Sequence, residues 1–217
     1  RIPGNATEPL AAFGSDYSPA NNHIDQSTSI MRKLLIVLLL LHSAASPADE
    51  AARFKEANFP ALAQADTTPM VRKGQIVLTY LWADIYAAAL FTPPGISPEQ
   101  AFNEQRDLRL ELFYLRDLDH SDITQASAAI LKRQQSAATL SAIDSPLKKL
   151  QASFSDIKRG DRYALDYDPA RGLNLERNGK VIFNSPDPEL AQAYLGIWLA
   201  PDGLPEKLRQ TLMAQTP

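Results

Sequence analysis

Alternating apolar and polar positions predict strands in the middle of the chain. Residues 75–91 alternate and then continue as an apolar run, which predicts two strands with a bend near residues 82–84. The alternation is clearest over Asp107–Leu115, where three leucines and Tyr114 share one face of the predicted strand. By contrast, Asp49–Arg72 has few large apolar residues and predicts only a lead-in strand or loop.

Helix-type spacing follows these strands, and capping residues predict where several helices begin. A serine or aspartate stands just before a proline at three of the starts, which is the order of an N-cap followed by the first helical positions. The predicted helices start near Ser97, Ser121, Asp144, Asp187 and Leu204.

Three further strands form a meander near the carboxyl end, at Arg162–Tyr167, Gly172–Glu176 and Lys180–Phe183. Asn178-Gly179 separates the last two and favours a type I′ turn, because both turn positions need a positive φ. The total is about six strands and four or five helices, without regular βαβ alternation. This order predicts an α+β domain in which helices gather on one face of an antiparallel sheet.

Composition and charge exclude several classes of protein. The 217 residues contain no Cys, which excludes disulfides, Cys-ligated metal centres and Cys nucleophiles. A net charge of -3 and a pI of about 5.6 argue against a nucleic-acid partner. The sequence also lacks phosphate-binding glycine motifs, a nucleophile elbow and metal-ligand spacing, so we expect no cofactor and no metal.

A leader precedes the predicted domain. Arg32-Lys33 stands before the apolar run Leu34–Leu41, and small residues follow as far as Ala48, which are the three parts of a secretory signal peptide. The run is short for a bilayer span, although a membrane anchor or a buried helix is the alternative. We therefore expect a disordered upstream or non-native extension at 1–30, a signal peptide at 31–48, and a single periplasmic or secreted domain without a membrane span at 49–217.

Three groups of residues could carry chemistry, and each also has a simpler structural interpretation. The first group either lines a lipophilic cleft or only packs: Tyr80, Trp82, Asp84 and Tyr86. The second, 116–120, either holds an anionic group through Arg116 or supplies a helix cap and a local ion pair. In the third, Tyr194 and Trp198 lie one helical turn apart, which favours core packing. His120 is the only histidine after the predicted cleavage site, which weakens catalytic interpretations.

Five short motifs, taken in chain order, point to a known family. Residues 84–91 have the sequence D-I-Y-A-A-A-L-F, and residues 112–117 have the sequence L-F-Y-L-R-D. The other three are Gly160–Tyr163, Asn178-Gly179 and Ala193–Leu199. Together they resemble the chalcone isomerase-like family, in its bacterial exported branch, whose corresponding strands have K-V-Y-x-A-A-L-Y and Y-x-R-D-I. The resemblance spans roughly residues 74–213 and implies an open-faced β-sandwich, with a helical layer over a curved antiparallel sheet and a lipophilic cleft between them.

The family's enzymatic activity does not follow from this resemblance. True chalcone isomerases close a flavanone ring by oxa-Michael addition, using an arginine that holds the phenolate and supporting threonine, tyrosine and asparagine side chains. Here the resemblance places Tyr86 at the threonine position and Gly74 at the arginine position, with Arg72 two residues away. His120 and Ser127 fall at the tyrosine and asparagine positions. A phenolate without its arginine is costly in an apolar cleft, so we expect the fold without flavonoid cyclisation.

A binding protein is therefore the leading hypothesis. By analogy with fatty-acid-binding members of the family, the ligand would be a small apolar or carboxylate-bearing molecule in the cleft. The candidate ligand-binding residues are Arg72, Tyr80, Trp82, Tyr86, Arg116 and His120. One alternative is an intramolecular lyase or isomerase that acts on a small conjugated carbonyl compound, with Tyr86 as catalytic acid and Arg72 as oxyanion holder. Another is a structural protein of the cell envelope.

Overall fold

Seven strands form one antiparallel sheet in the computed structural model, which describes residues 47–65 and 68–214. Each strand pairs with its neighbour in the chain, so the order across the sheet is the order of the sequence. The strands are β1 (Leu62–Ala65), β2 (Thr68–Tyr80), β3 (Ala83–Thr92), β4 (Leu108–Tyr114), β5 (Arg162–Asp168), β6 (Gly172–Arg177) and β7 (Lys180–Ser185).

Seven helices accompany the sheet in the same part of the chain. They are α1 (Pro47–Ala57), α2 (Pro98–Asn103), α3 (His120–Gln134), α4 (Ala137–Ala142), α5 (Asp144–Ser153), α6 (Pro188–Leu199) and α7 (Glu206–Met213). Across the described ranges, none of these helices is both long and apolar enough to cross a membrane.

Side-chain alternation gives the sheet two different faces. On the helical face, Leu110, Leu112 and Leu165 are buried in one core with the residues of α6. Nine residues of α6 are buried, and α7 packs beside it against β2 and β3. The helical face therefore holds the main core of the domain.

The second face of the sheet carries a smaller core. Ala87, Ala89 and Phe91 of β3 point to this side, where they pack with Ala57 at the end of α1 and with Phe59. Successive residues of β3 point alternately to the main core and to this smaller core, so both sides of the strand are buried. That burial explains why Ile85–Phe91 has a continuous apolar pattern instead of an alternating one.

Local geometry confirms the main sequence predictions. The side chain of Ser97 accepts a hydrogen bond from Gln100 N in a capping box, and Asp187 caps α6 by accepting from two backbone amides. Asn178 and Gly179 both have positive φ, as a type I′ turn requires. The predicted α+β class with an antiparallel sheet is confirmed.

Two helices differ from prediction. The segment predicted as a lead-in strand or loop contains α1, β1 and the first residues of β2, and α1 packs on the second face of the sheet. The short helix α4 was also not predicted. None of its residues is buried, so the sequence has no apolar stripe there, and the helix begins at an N-cap formed by Ser136. The predicted extension at 1–30 and most of the predicted signal peptide lie outside the described residues.

Candidate functional site

A row of tyrosines crosses the helical face near one end of the sheet. Tyr86 of β3 lies directly opposite Tyr114 of β4, with ring centroids 5.6 Å apart in an edge-to-face arrangement. Tyr114 meets Tyr163 of β5 in the same way, at 5.7 Å. Tyr163 pairs with Leu112 and is therefore diagonal to Tyr114 on the same face, so the register of the sheet still brings the three phenols together.

Helix α6 adds two aromatic side chains to this row. Tyr194 and Trp198 pack edge to face at 6.0 Å, and Trp198 Nε1 donates a hydrogen bond to Tyr86 Oη at 3.0 Å. All five residues are less than one-tenth exposed. We call this set the aromatic cluster: Tyr86, Tyr114, Tyr163, Tyr194 and Trp198.

The aromatic cluster gathers several phenol hydroxyls inside the domain. Burial, followed by the nearby hydroxyls of Tyr86, Tyr194 and Tyr163, raises the pKa of Tyr114 well above its ordinary value. Burial also raises the pKa of Tyr86 and of Tyr194. The hydrogen bond from Trp198 partly opposes this rise at Tyr86, and Ser127 partly opposes it at Tyr194. These hydroxyls therefore stay neutral, so they can donate hydrogen bonds but cannot act as phenolate bases.

A cation lies at the rim of this cluster. The guanidinium of Arg177 lies 5.7 Å from the ring centroid of Tyr163, while its Nη2 donates to Asp161 at 2.7 Å. Since Arg177 is already paired with a carboxylate, it offers little uncompensated charge to the interior.

The family's arginine position has no room for a side chain. Gly74 of β2 faces the helices, and α7 packs directly on it. A Cβ atom at Gly74 would lie 2.1 Å from the carbonyl oxygen of Thr211 and 2.8 Å from that of Leu212. The close approach of α7 therefore requires glycine at this position.

Arg72 does not replace the missing arginine. It pairs with Phe91, whose side chain belongs to the core of the second face, and its Nη1 donates to the carbonyl oxygen of Phe59. Arg72 and Tyr86 thus lie on opposite sides of the sheet. The combination of Tyr86 as acid with Arg72 as oxyanion holder is not present in this structure.

The other candidate residues also lie apart from the aromatic cluster. Tyr80 is half-buried at the end of β2, and Trp82 is exposed in the following turn. Arg116 is exposed beyond the end of β4. His120 Nε2 lies 3.0 Å from the carbonyl oxygen of Gln151, and this contact joins the start of α3 to α5. Of the six candidate ligand-binding residues, the structure places Tyr86 alone in the cluster.

Ser127 does lie at the aromatic cluster, where the resemblance places the family's asparagine. It is buried and its hydroxyl donates to the carbonyl oxygen of Thr124 at 3.0 Å, while its proximity to Tyr194 partly opposes the rise that burial causes in the pKa of Tyr194. Sequence reasoning missed Tyr114 and Tyr163 as site residues, because both alternate with leucines along their strands. The signal that could have identified them is a tyrosine at the same end of three successive strands.

An apolar stripe leads away from the aromatic cluster along β4. Leu112, Leu110 and Leu108 are buried against the helices, and the stripe ends at a shallow surface depression that encloses no cavity. Phe102, Tyr167 and Leu195 also line this depression, which opens to solvent. Polar hydroxyls thus lie at one end of the stripe and a surface opening lies at the other.

A second polar group occupies the second face, and sequence reasoning did not identify it. Arg109 donates to Glu111 and to Glu176, both at 2.8 Å, and lies 3.8 Å from Asp166. Burial raises the pKa of Asp166 to about 6, and Arg109 opposes this rise. Within residues 47–65 and 68–214, no group of three or more His, Cys, Asp or Glu residues could hold a metal ion.

The fold resembles that of a known plant protein. The crystal structure of an Arabidopsis thaliana fatty-acid binding protein matches with a TM-score of 0.54 and 14% identity, over 71% of this chain and 90% of that chain. At this level of identity the match establishes a shared fold.

Sequence comparison finds a bacterial relative. An uncharacterized protein of Haemophilus influenzae is 28% identical over 141 residues, which are 63% of this chain and 65% of the relative. The chain thus spans about two thirds of the length of this curated relative.

A family model described as chalcone isomerase-like matches residues 51–214. This range includes the whole sheet, the aromatic cluster, Gly74 and the C-terminal helix that covers it. The match extends over well more than half of the chain, and the fold agrees with it. The chain therefore belongs to the chalcone isomerase-like family.

Proposed function

We propose that this protein binds a fatty-acid-like ligand between the sheet and the helices and does not catalyse a reaction on it. The observation that carries the proposal is the aromatic cluster, which places neutral hydroxyl donors at one end of an apolar stripe. Hydroxyl donors suit a carboxyl group, whereas the leucine stripe suits a hydrocarbon chain.

The dimensions of the stripe suit a long-chain fatty acid. Tyr114 lies six residues after Leu108 on β4, so the stripe is about 20 Å long. This is close to the extended length of such a chain. Ligand pockets usually enclose about 300 Å³ or more. The depression encloses no cavity of its own, so α2 and α6 would have to move away from the sheet to admit a ligand.

The family's cyclisation chemistry lacks its charged group here. The helical face has no arginine at Gly74, because α7 occupies that space, and Arg72 points to the other side of the sheet. A phenolate at the aromatic cluster would lie among neutral phenols, with Arg177 already paired to Asp161. Its charge would be desolvated without compensation, which opposes formation of the nucleophile.

Export of the protein is part of the same proposal. The apolar run at Leu34–Leu41 with its preceding Arg32-Lys33 supports a cleaved signal peptide and a periplasmic or secreted domain. An envelope location would give the domain access to membrane-derived fatty acids.

The direct test is a titration of the purified protein with a long-chain fatty acid, followed by calorimetry and melting temperature. We expect saturable binding and a higher melting temperature. Tyr114→Phe should bind about ten-fold more weakly, because a hydrogen bond to the carboxyl group is lost. Tyr167→Phe is the matched control: the same change on the same face, at the far end of the stripe, should leave affinity unchanged.

Two results would contradict the proposal. The first is the absence of binding for fatty acids of every chain length, together with an unchanged melting temperature. The second is cyclisation of a chalcone faster than in buffer, with the extra rate lost in Tyr86→Phe, since that result would assign Tyr86 a catalytic role.

A further inference from the structure

The hairpin between β2 and β3 ends in an exposed apolar turn. Leu81 and Trp82 are the two turn residues between Tyr80 and Ala83, which form the last pair of the two strands. Trp82 is 75% exposed and Leu81 is 43% exposed. Tryptophan is usually well buried, so a Trp at the tip of a hairpin needs an explanation.

The backbone of this turn is unfavourable for the residues that it contains. Leu81 has a φ of 47° and Trp82 a φ of 63°, in the left-handed region where asparagine and glycine are preferred. Neither turn geometry nor internal packing favours this pair of side chains. Strain of this kind, held by the surrounding structure, is typical of functional positions.

The base of the hairpin is held firmly. Thr79 Oγ1 donates to Asp84 Oδ1 at 2.9 Å, and Arg53 Nε of α1 donates to Asp84 Oδ2 at 2.8 Å. These contacts fix the turn relative to α1 and also neutralise the carboxylate nearest the turn. Leu81 and Trp82 are therefore presented outward on a rigid support.

A cation lies at the same end of the sheet as the turn. Leu115 N donates to the carbonyl oxygen of Ile85 at 2.9 Å, so the chain after β4 continues next to the start of β3. The next residue, Arg116, is exposed and makes no hydrogen bond or ion pair with other residues in the described part of the chain. An apolar tip and an unpaired cation thus share one end of the sheet.

We infer that the tip formed by Leu81 and Trp82 docks reversibly on the surface of an anionic lipid bilayer. Tryptophan favours the interface between headgroups and hydrocarbon, and a nearby arginine is attracted to anionic lipids. Two side chains bury at most roughly 400 Å², which is well below the roughly 800 Å² per partner of a stable protein interface. The small area therefore favours a lipid surface over a second copy of the chain.

Docking at this end would suit the proposed ligand site, and this link rests on the proposed function. Tyr86 follows Trp82 by four residues, so the aromatic cluster begins about 13 Å behind the tip. A fatty acid that entered from the bilayer with its hydrocarbon end first would leave its carboxyl group at the cluster. The docking itself needs no ligand, so the two proposals can fail separately.

Vesicle binding of the ligand-free protein tests the inference. The probes are vesicles of phosphatidylcholine alone and of phosphatidylcholine with phosphatidylglycerol, measured by cosedimentation and by Trp fluorescence. The main variant is Leu81→Asn with Trp82→Gly, which gives the turn its preferred residues and should fold at least as well as the native chain. Leu62→Asn is the control, because Leu62 is 71% exposed but lies near the other end of the hairpin.

We expect the native chain and Leu62→Asn to bind the anionic vesicles, with Trp82 emission moving to shorter wavelength. The double variant should bind at least about ten-fold more weakly, as the loss of buried apolar surface requires. Arg116→Gln should weaken binding about five-fold on anionic vesicles and leave the neutral ones unchanged. Equal binding by the native chain and the double variant would overturn the inference. Concentration-dependent dimerisation that the double variant abolishes would also overturn it, because a second copy would then occupy the tip.

Discussion

Asp166 and Arg109 are cross-strand partners on β5 and β4, and both side chains lie on the second face of the sheet, away from the main helical layer. Arg109 Nη1 lies 3.8 Å from Asp166 Oδ2. The side chain of Asp166 is only 6% exposed, and its Oδ1 has no hydrogen-bond partner in the described structure. Burial therefore outweighs the attraction of Arg109 and raises the pKa of this carboxyl to about 6. At this residue, desolvation has a larger effect than the neighbouring charge.

The raised pKa predicts how stability depends on pH. The fold binds the Asp166 proton more tightly than the unfolded chain does, so this residue stabilises the fold at low pH and loses that effect as pH rises through about 6. Asp166→Asn should match the native chain near pH 4 and exceed its free energy of unfolding by about 2–3 kcal/mol at pH 7. Urea unfolding at several pH values measures this difference.

Asp168 on the same strand provides a control of opposite sign. Its pKa is lowered chiefly by a backbone hydrogen bond from Ala170, with a further contribution from Arg171. Asp168→Asn should therefore lose stability relative to the native chain above about pH 4, and the loss should shrink as pH falls. If the difference in free energy of unfolding between the native chain and Asp166→Asn does not change with pH, the burial argument is contradicted.

At the scale of elements, local sequence determines the boundaries of several elements and long-range contacts determine the site. The capping box at Ser97, the cap at Asp187 and the Asn178-Gly179 turn were predictable, because each depends on residues within three positions in the chain. The helix α1 was not predictable in this way. It covers only part of the second face, so few of its residues carry an apolar pattern.

The aromatic cluster was only partly predictable for the same reason. Resemblance to the family indicated Tyr86 and Ser127, and helical spacing paired Tyr194 with Trp198. Their meeting depends on the register between β3, β4 and β5 and on the packing of α6, which involve residues up to 112 positions apart. Arg72 was assigned to the wrong side because a register shift between Arg72 and Gly74 interrupts the alternation of β2.

Packing of α7 on β2 gives a testable prediction at this scale. Gly74→Ala should destabilise the fold by about 1–3 kcal/mol, because the new Cβ would clash with the backbone of α7. Gly196→Ala is the matched control, since its Cβ would meet Ala200 Cβ at an ordinary 3.4 Å. That change should be neutral or stabilise helix α6 by up to about 1 kcal/mol. Urea unfolding measures the stability of both variants. Equal changes in the free energy of unfolding would disprove close packing of α7 at Gly74.

At the scale of the whole molecule, three features follow one another along the helical face and its end. The exposed tip lies at the start of β3, the aromatic cluster follows, and the leucine stripe runs from the cluster to the depression at Tyr167 and Leu195. This order places hydroxyl donors between an apolar tip and an apolar interior. It suits a domain that takes a ligand with one polar end from a lipid surface and holds it by its carboxyl group.

Native mass spectrometry of the protein purified from its own cells tests this account most directly. The account predicts a protein mass that begins near residue 49, together with a population that carries one additional fatty acid. Denaturation should release that molecule, and Tyr114→Phe should retain less of it than Tyr167→Phe does. A ligand-free protein whose melting temperature does not rise with added fatty acid would contradict the account, and a mass that retains Arg1 would contradict its export.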